Sequence, residues 1–149
     1  MCSKGIELNP SYPFGYQALC VTRLLLGEPE AAIKAIETAI RISPNDVVLP
    51  VWLALLSAGH YLERNYEKAA AVASLAVQRG PNYPIGWGRL AGALGQLGRL
   101  DEAREALEQF LARMPGFTSE QVARSLSPFR DEAVFQHWLE GLRKAGWEG

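Results

Sequence analysis

Four prolines recur at almost equal intervals along the chain. Pro10, Pro44, Pro81 and Pro115 are 34, 37 and 34 residues apart. Each follows an amphipathic stretch and stands where a helix would end, because proline cannot donate the next helical hydrogen bond. A period of roughly 20–50 residues is typical of stacked repeats rather than of an irregular domain. The spacing therefore predicts an array of repeated helical units.

Between the prolines the apolar residues recur three and four positions apart, which predicts two helices in each repeat. The first helix of each pair, helix A, is expected at about 13–26, 50–63 and 84–97. The second, helix B, is expected at about 29–42, 66–79 and 100–113. Turns such as Gly27-Glu28-Pro29 and Gly98-Arg99 separate the two helices. No strand-like alternation of useful length is present, so the fold is predicted to be all-α.

These units resemble tetratricopeptide repeats, 34-residue pairs of helices with a bulky residue early in helix A and alanines along helix B. The third repeat carries the pattern most fully, at Trp87, Leu90-Ala91, Gly98, Ala103 and Pro115. The first repeat has Tyr16, Leu19-Cys20, Gly27, Ala32, Ile36, Ala39 and Pro44. The second is looser, and its three extra residues are placed at Val47-Val48-Leu49. The resemblance implies a right-handed superhelix, an α-solenoid, of about three helix pairs with a C-terminal helical cap.

The domain organisation follows from the same register. Residues 1–117 are expected to form the array, with a half repeat at 1–12 and repeats at about 13–46, 47–83 and 84–117. The half repeat has a helix B, with Ile6 and Leu8 facing inward, and no helix A. This predicts that the chain is a fragment of a longer polypeptide.

Residues 118–149 depart from the repeat and are expected to form capping helices. Thr118-Ser119-Glu120-Gln121 is typical of a capping box that opens a short helix. A second helix, at about 131–145, carries an apolar stripe of Phe135, Trp138, Leu139 and Leu142. We expect this stripe to cover helix B of the third repeat. The alternative is that the tail helix lies in the concave groove of its own chain or of a neighbouring copy.

The tail also resembles the end of the tetratricopeptide region in certain bacterial multidomain proteins. The similarity lies in Pro128-Phe129-Arg130-Asp131 and in the stretch from Leu139 to Gly146. Those proteins carry a class III adenylate or guanylate cyclase domain, or a winged-helix regulatory domain, at their N-terminal end. The resemblance implies that this chain is the C-terminal region of a larger bacterial signalling or regulatory protein.

Composition and motifs exclude several classes of function. The net charge is −1 with acids and bases mixed, so neither nucleic acid nor a membrane surface is an expected partner. His60, His137, Cys2 and Cys20 form no metal-ligand spacing, and no nucleophile or phosphate-loop motif occurs. We therefore expect no catalytic residue, metal or cofactor. The free cysteines, and an N-terminus without a signal peptide's apolar segment, favour the cytoplasm.

Function is expected in the concave groove that the A helices of such repeats line. The predicted groove residues are Phe14, Gln17, Val21, Leu24, Val51, Ala54, Ala58, Tyr61, Ile85, Gly88, Arg89, Gly92 and Gln96. Only Arg89 is cationic, so the lysine- and arginine-rich carboxylate clamp of some family members is not expected. The glycine run Gly88, Gly92 and Gly95 weakens its helix, which indicates either that a backbone or a large side chain approaches closely there or that the sequence has drifted on an exposed helix face.

The predicted function is that of a non-catalytic protein–protein interaction module. The groove is apolar, so the partner is expected to be a protein or peptide with an apolar segment. The alternative is a structural element that drives homodimerisation, with the tail helix docking in a groove.

Overall fold

The computed structural model describes residues 10–127 and 129–149, which contain eight helices and no strand. The helices are α1 (Pro13–Leu25), α2 (Pro29–Ile42), α3 (Leu49–Leu62), α4 (Tyr66–Arg79), α5 (Pro84–Gln96), α6 (Leu100–Arg113), α7 (Glu120–Leu126) and α8 (Glu132–Lys144). Residues 1–9 of the expected half repeat, including Ile6 and Leu8, lie outside the described residues.

The first six helices form three hairpins, and each hairpin packs on the next. Helices α1, α3 and α5 are the A helices, and α2, α4 and α6 are the B helices. The contacts within and between hairpins include alanines that are at most 1% exposed, namely Ala32, Ala39, Ala69, Ala76 and Ala103, and Ala76 lies against Gly86 of the next hairpin. Small side chains allow two helix backbones to approach closely. The described chain is therefore an all-helical α-solenoid.

The turns between A and B helices need a left-handed residue, and two of the three repeats use glycine for it. Gly27 and Gly98 have φ values of 71° and 75°. The second repeat has Arg64 at this position, with φ 62°, and is the one hairpin turn made without glycine. Asn65 follows it and caps α4 by accepting a hydrogen bond from the Lys68 backbone N–H at 3.4 Å.

The second hairpin also carries the largest fully enclosed side chain. Trp52 of α3 is 0% exposed, and its indole Nε1 donates to the Gln17 side-chain oxygen of α1 at 2.7 Å. The contact joins neighbouring A helices. Trp52 has no place in the repeat pattern that the sequence predicts.

The tail helices are capped at serine and aspartate. Ser119 accepts a hydrogen bond from the Val122 N–H at 3.3 Å, so α7 begins one residue later than a cap at Thr118 would place it. Asp131 caps α8 by accepting from the Val134 N–H at 3.1 Å.

The packing of α8 corrects the expectation that the tail covers helix B of the third repeat. Phe135, Leu139 and Leu142 of the predicted cap are at most 1% exposed, and Trp138 is half-buried. Their helix, however, packs against α5, an A helix, rather than against α6. The reason is a line of glycines that admits α8 onto α5.

The end of α6 is covered instead by residues from the loops around the tail. The Phe117 ring lies 5.0 Å from the Phe110 ring of α6 and 5.0 Å from the Trp147 ring. The Trp147 Nε1 donates to the Phe117 carbonyl oxygen at 3.0 Å. Trp147, which the sequence pattern did not indicate, thus helps to cover the end of α6.

Replacing Ala103 by leucine tests the close crossing of α5 and α6. Ala103 is 0% exposed, so the added side chain should overpack the crossing and lower the free energy of unfolding by about 1–3 kcal/mol. Ala112→Leu is the matched control, because Ala112 is exposed on the same helix. Thermal denaturation of both variants measures the difference. Equal melting temperatures would contradict the assigned crossing.

Candidate functional site

The candidate site is the surface formed by the A helices α1, α3 and α5, which lie side by side. We call it the A-helix face. It corresponds to the groove that the sequence predicts. Helix α8 lies on its third-repeat part, along α5, and reaches Tyr61 on α3. The C-terminal helix of the chain thus occupies part of this face.

The predicted groove residues differ in accessibility. Phe14, Gln17, Val21, Val51, Ile85, Arg89 and Gln96 keep some exposure, whereas Leu24, Ala54, Ala58, Tyr61, Gly88 and Gly92 are buried. Tyr61, Gly92 and Gln96 contact α8 directly. Phe14 and Val21 on α1 remain accessible. The face is therefore divided into an open half at the first repeat and a half that α8 fills.

Backbone-to-backbone contact holds α8 on α5. A methyl group built at Gly141 of α8 would lie 2.6 Å from the carbonyl oxygen of Gly92 on α5. A methyl group at Gly95 would in turn collide with the carbonyl oxygen of Gly141. The chain's own tail therefore approaches the backbone of Gly92 and Gly95, whereas the close neighbour of Gly88 is the Phe110 ring of α6. Gly141 is the complementary signal in the tail sequence, and it was not recognised there.

Tyr61 fixes the register of α8. Its hydroxyl donates to the His137 carbonyl oxygen and accepts from the Gly141 N–H at 3.2 Å and from the Gln96 side-chain amide at 3.0 Å. These three contacts use the full hydrogen-bonding capacity of a phenol. Burial raises the pKa of Tyr61, so the hydroxyl stays protonated. Helices α3, α5 and α8 are joined at this one oxygen.

His137 and Lys144 add polar contacts on either side of Tyr61. The His137 ring lies 4.5 Å from the Tyr61 ring, and its Nε2 is 2.7 Å from the Tyr66 hydroxyl. Burial lowers the pKa of His137 from its ordinary 6.5, with Arg64 acting in the same direction and Glu140 opposing it. His137 is buried, at 7% exposure. Lys144 donates to the Gln96 side-chain oxygen at 2.9 Å.

The open half of the face is aromatic and apolar. Phe14 is 38% exposed and Tyr12 is 48% exposed, with their ring centroids 5.6 Å apart. The Phe14 ring also contacts the enclosed Trp52 ring, 5.8 Å away. Val21 follows on the same helix. None of these side chains carries a charge, so this half of the face offers contact area rather than ionic recognition.

The described cysteine and histidine side chains are buried or half-buried. No group of three or more histidine, cysteine, aspartate or glutamate side chains is placed to hold a metal ion among residues 10–127 and 129–149. Cys20 is 0% exposed, and burial raises the pKa of its thiol to about 12. Burial also lowers the pKa of His60. Within the same described ranges, no helix is long and apolar enough to cross a bilayer.

Replacing Gly141 by alanine tests the contact between α5 and α8. The added methyl meets backbone atoms of Gly92, which cannot rotate away as a side chain would. We expect a loss of about 1–3 kcal/mol of stability, larger than the roughly 1 kcal/mol that alanine gains over glycine in a helix. Gly116→Ala is the control, because a methyl there has open space around it. Thermal melting that is the same for both variants would argue against the contact.

The repeats match known family models. Residues 16–46 and residues 60–125 each match a model described as tetratricopeptide repeat. The two matches together include most of the described array. No curated protein matches the chain in sequence.

Solved structures with a similar fold are found at low sequence identity. The crystal structure of MamA is 18% identical, with a TM-score of 0.69 over 97% of this chain and 82% of that one. The Sgt2 TPR domain from Aspergillus fumigatus is 22% identical, with a TM-score of 0.65 over 89% and 78%. The first TPR of Spaghetti (RPAP3), bound to the HSP90 peptide SRMEEVD, is 17% identical, with a TM-score of 0.66 over 89% and 91%. At these identities the likeness establishes the fold alone.

Proposed function

The chain is built of tetratricopeptide repeats, and from that premise we propose that it is a non-catalytic module that binds a protein or peptide partner. A structural neighbour, the first TPR of Spaghetti, is bound to an HSP90 peptide, which supports binding of chain segments by this fold. The observation that carries the proposal is α8 itself. An amphipathic helix already lies on the A-helix face, so the face suits such ligands.

The partner chemistry follows from the two halves of the face. The half beneath α8 is occupied by a helix that has three fully buried apolar side chains, Phe135, Leu139 and Leu142. The open half presents the apolar side chains of Phe14 and Val21. We therefore propose that the partner lays an apolar segment along α1, beside α8.

The tail helix stays in place while the partner binds. Three fully buried side chains of α8 stabilise its docking by roughly 5–9 kcal/mol in total, before the entropy of ordering is subtracted. A partner that displaced α8 would have to offset this cost, whereas a partner on the open half would not. The open half is therefore the preferred surface.

Peptide selection tests the proposal directly, because it does not require a named partner. A displayed library of random peptides, selected on the full chain, should yield apolar amphipathic sequences. Val21→Lys should abolish their binding, because a buried charge would oppose an apolar ligand. Leu75→Lys is the matched control: Leu75 is an exposed apolar residue of helix B (46% exposed). Tyr61 is unsuitable here, because its loss would release α8.

Two results would contradict the proposed mode of binding. One is that no peptide is enriched, and the other is that Val21→Lys and Leu75→Lys bind equally well. Affinity should also change little from about 0.05 M to about 0.5 M salt, because screening weakens ionic contacts far more than apolar ones. A steep loss of affinity with salt would point to a charged surface instead.

The alternative function is self-association through the tail. The same α8 that fills the A-helix face would join two copies if it docked on a neighbouring chain, which is a domain swap. Light scattering over a range of protein concentrations separates the alternatives. A monomer at all concentrations favours the partner-binding module, and a stable dimer that exchanges α8 favours self-association.

The cellular setting that we propose rests on the tail resemblance alone. It is the C-terminal region of a larger bacterial signalling or regulatory protein in the cytoplasm. Sequencing the gene upstream of Met1 tests it, since a cyclase or winged-helix domain in the same reading frame would support this setting. A stop codon directly upstream would contradict it.

A further inference from the structure

Arg89 is a cation that aromatic rings of the tail partly enclose, and it has no acidic partner in the part of the chain that the structure describes. Its guanidinium carbon lies 5.8 Å from the Phe129 ring centroid and 5.8 Å from that of Trp138. Its Nε is buried and has no hydrogen-bond partner there. Tyr83 and Tyr61 are its nearest electrostatic neighbours, and both are neutral phenols at ordinary pH.

Most other arginines of the described chain are in a different environment from Arg89. The paired ones lie at the surface, as Arg23 does with Glu28, Arg99 with Glu102 and Arg124 with Glu132. Arg104 is outside an ion pair and exposed to water, whereas the half-buried Arg113 donates hydrogen bonds to Gln109. Arg89 differs from Arg113 because its buried Nε has no hydrogen-bond partner among the described residues. Burial lowers the pKa of Arg89, yet a guanidinium remains protonated in proteins.

A cavity of about 60 Å³ lies beside this guanidinium. It is bounded by Ile85 and Gly88 of α5, Phe110 of α6, Leu126 of α7 and Trp138 of α8. Arg89 is its only charged lining residue. A cavity needs about 10–15 Å³ of such space to hold one water, so this one suits a group of about four or five heavy atoms, such as a carboxylate with two attached carbons.

We propose that this cavity binds an organic carboxylate, with the acid group on Arg89 and the attached carbons against the aromatic and aliphatic walls. A guanidinium pairs with a carboxylate through two parallel hydrogen bonds, and the apolar walls strengthen that pair by excluding water. The walls also disfavour a bare inorganic anion, which would lose its hydration without apolar contact. The ligand is either a free short-chain acid or the side chain of an acidic residue on a peptide.

This site is separate from the open half of the A-helix face. It lies between the third repeat and the tail and does not involve Phe14 or Val21. It uses one cation in an apolar wall, in contrast to the several cations of the clamp found in some family members. Failure of the peptide selection above would leave this inference intact, and the reverse also holds.

Titration with sodium propionate tests the site on the full chain. We expect a saturable shift of the Trp138 indole N–H signal in NMR spectra at constant ionic strength, with a matching rise in melting temperature. Propionamide, the neutral counterpart of equal size, should have no such effect. A capped Ala-Glu-Ala tripeptide and its glutamine analogue repeat the comparison for a side-chain carboxylate.

Arg89→Met provides the decisive variant. It removes an unpaired enclosed charge and should remain folded, with a melting temperature at or above that of the wild type. The propionate effect should vanish in Arg89→Met and persist in Arg104→Gln, which removes an exposed charge on α6.

Each outcome either assigns the site to one kind of ligand or overturns the proposal. Saturation by the glutamate tripeptide at concentrations at least tenfold below those of propionate assigns the site to a peptide side chain. Saturation by propionate without such a gain assigns it to a free acid. The proposal is overturned if neither probe saturates, if propionamide acts as propionate does, or if Arg89→Met responds like the wild type.

Discussion

Backbone contact between α5 and α8 is the constraint on which the shape of the functional face depends. Gly92 and Gly95 on α5 and Gly141 on α8 leave no side chain between the two helices. The tail helix therefore settles into the A-helix face, deep enough for Tyr61 of α3 to bond to its backbone. A side chain at Gly95 or Gly141 would collide with the backbone of the facing helix, hold α8 away and break the hydrogen bonds at Tyr61. The divided face, with one half filled and one half open, follows from this contact.

The same contact produces the cavity at Arg89. With α8 on α5, Trp138 and the preceding Phe129 lie over Arg89 and enclose its guanidinium. Gly88 has no side chain, and the Phe110 ring lies 3.1 Å from where one would begin. A tail packed on α6 would have left this cation in solvent. The position of α8 thus determines both the accessible apolar surface and the chemistry of the enclosed site.

The repeated elements were predictable from sequence because they depend on local patterns. The proline period, the helical spacing of apolar residues and alanines such as Ala103 give the helix pairs nearly residue by residue. The tail was less predictable, because a stripe such as Phe135, Leu139 and Leu142 shows that a helix is buried and not what buries it. The glycines indicate where the tail helix packs only when those on α5 and on α8 are considered together. The run on α5 indicated a close approach, and Gly141 would have identified the partner helix.

Roles that depend on tertiary enclosure could not be read from the sequence. Arg89 occupies a position typical of an open groove and became enclosed only because the tail folds over it. His137 looks like a surface residue within its own helix and is buried by Tyr61 and Tyr66 of another hairpin. In each case the deciding neighbour is more than 35 residues away in the chain. Helical periodicity in the sequence carries no information about contacts between residues so far apart in the chain.

Native-state hydrogen exchange of the full chain tests most directly whether α8 is a fixed part of the A-helix face. If it is, the amides from Leu139 to Leu142 should exchange only through global unfolding, with the same opening free energy as the core amides of α5 and α6. The contrary result is a separate opening of α8, with its amides exchanging at a much lower free energy while α5 and α6 stay protected. That result would make the tail a displaceable ligand and the whole face available to partners.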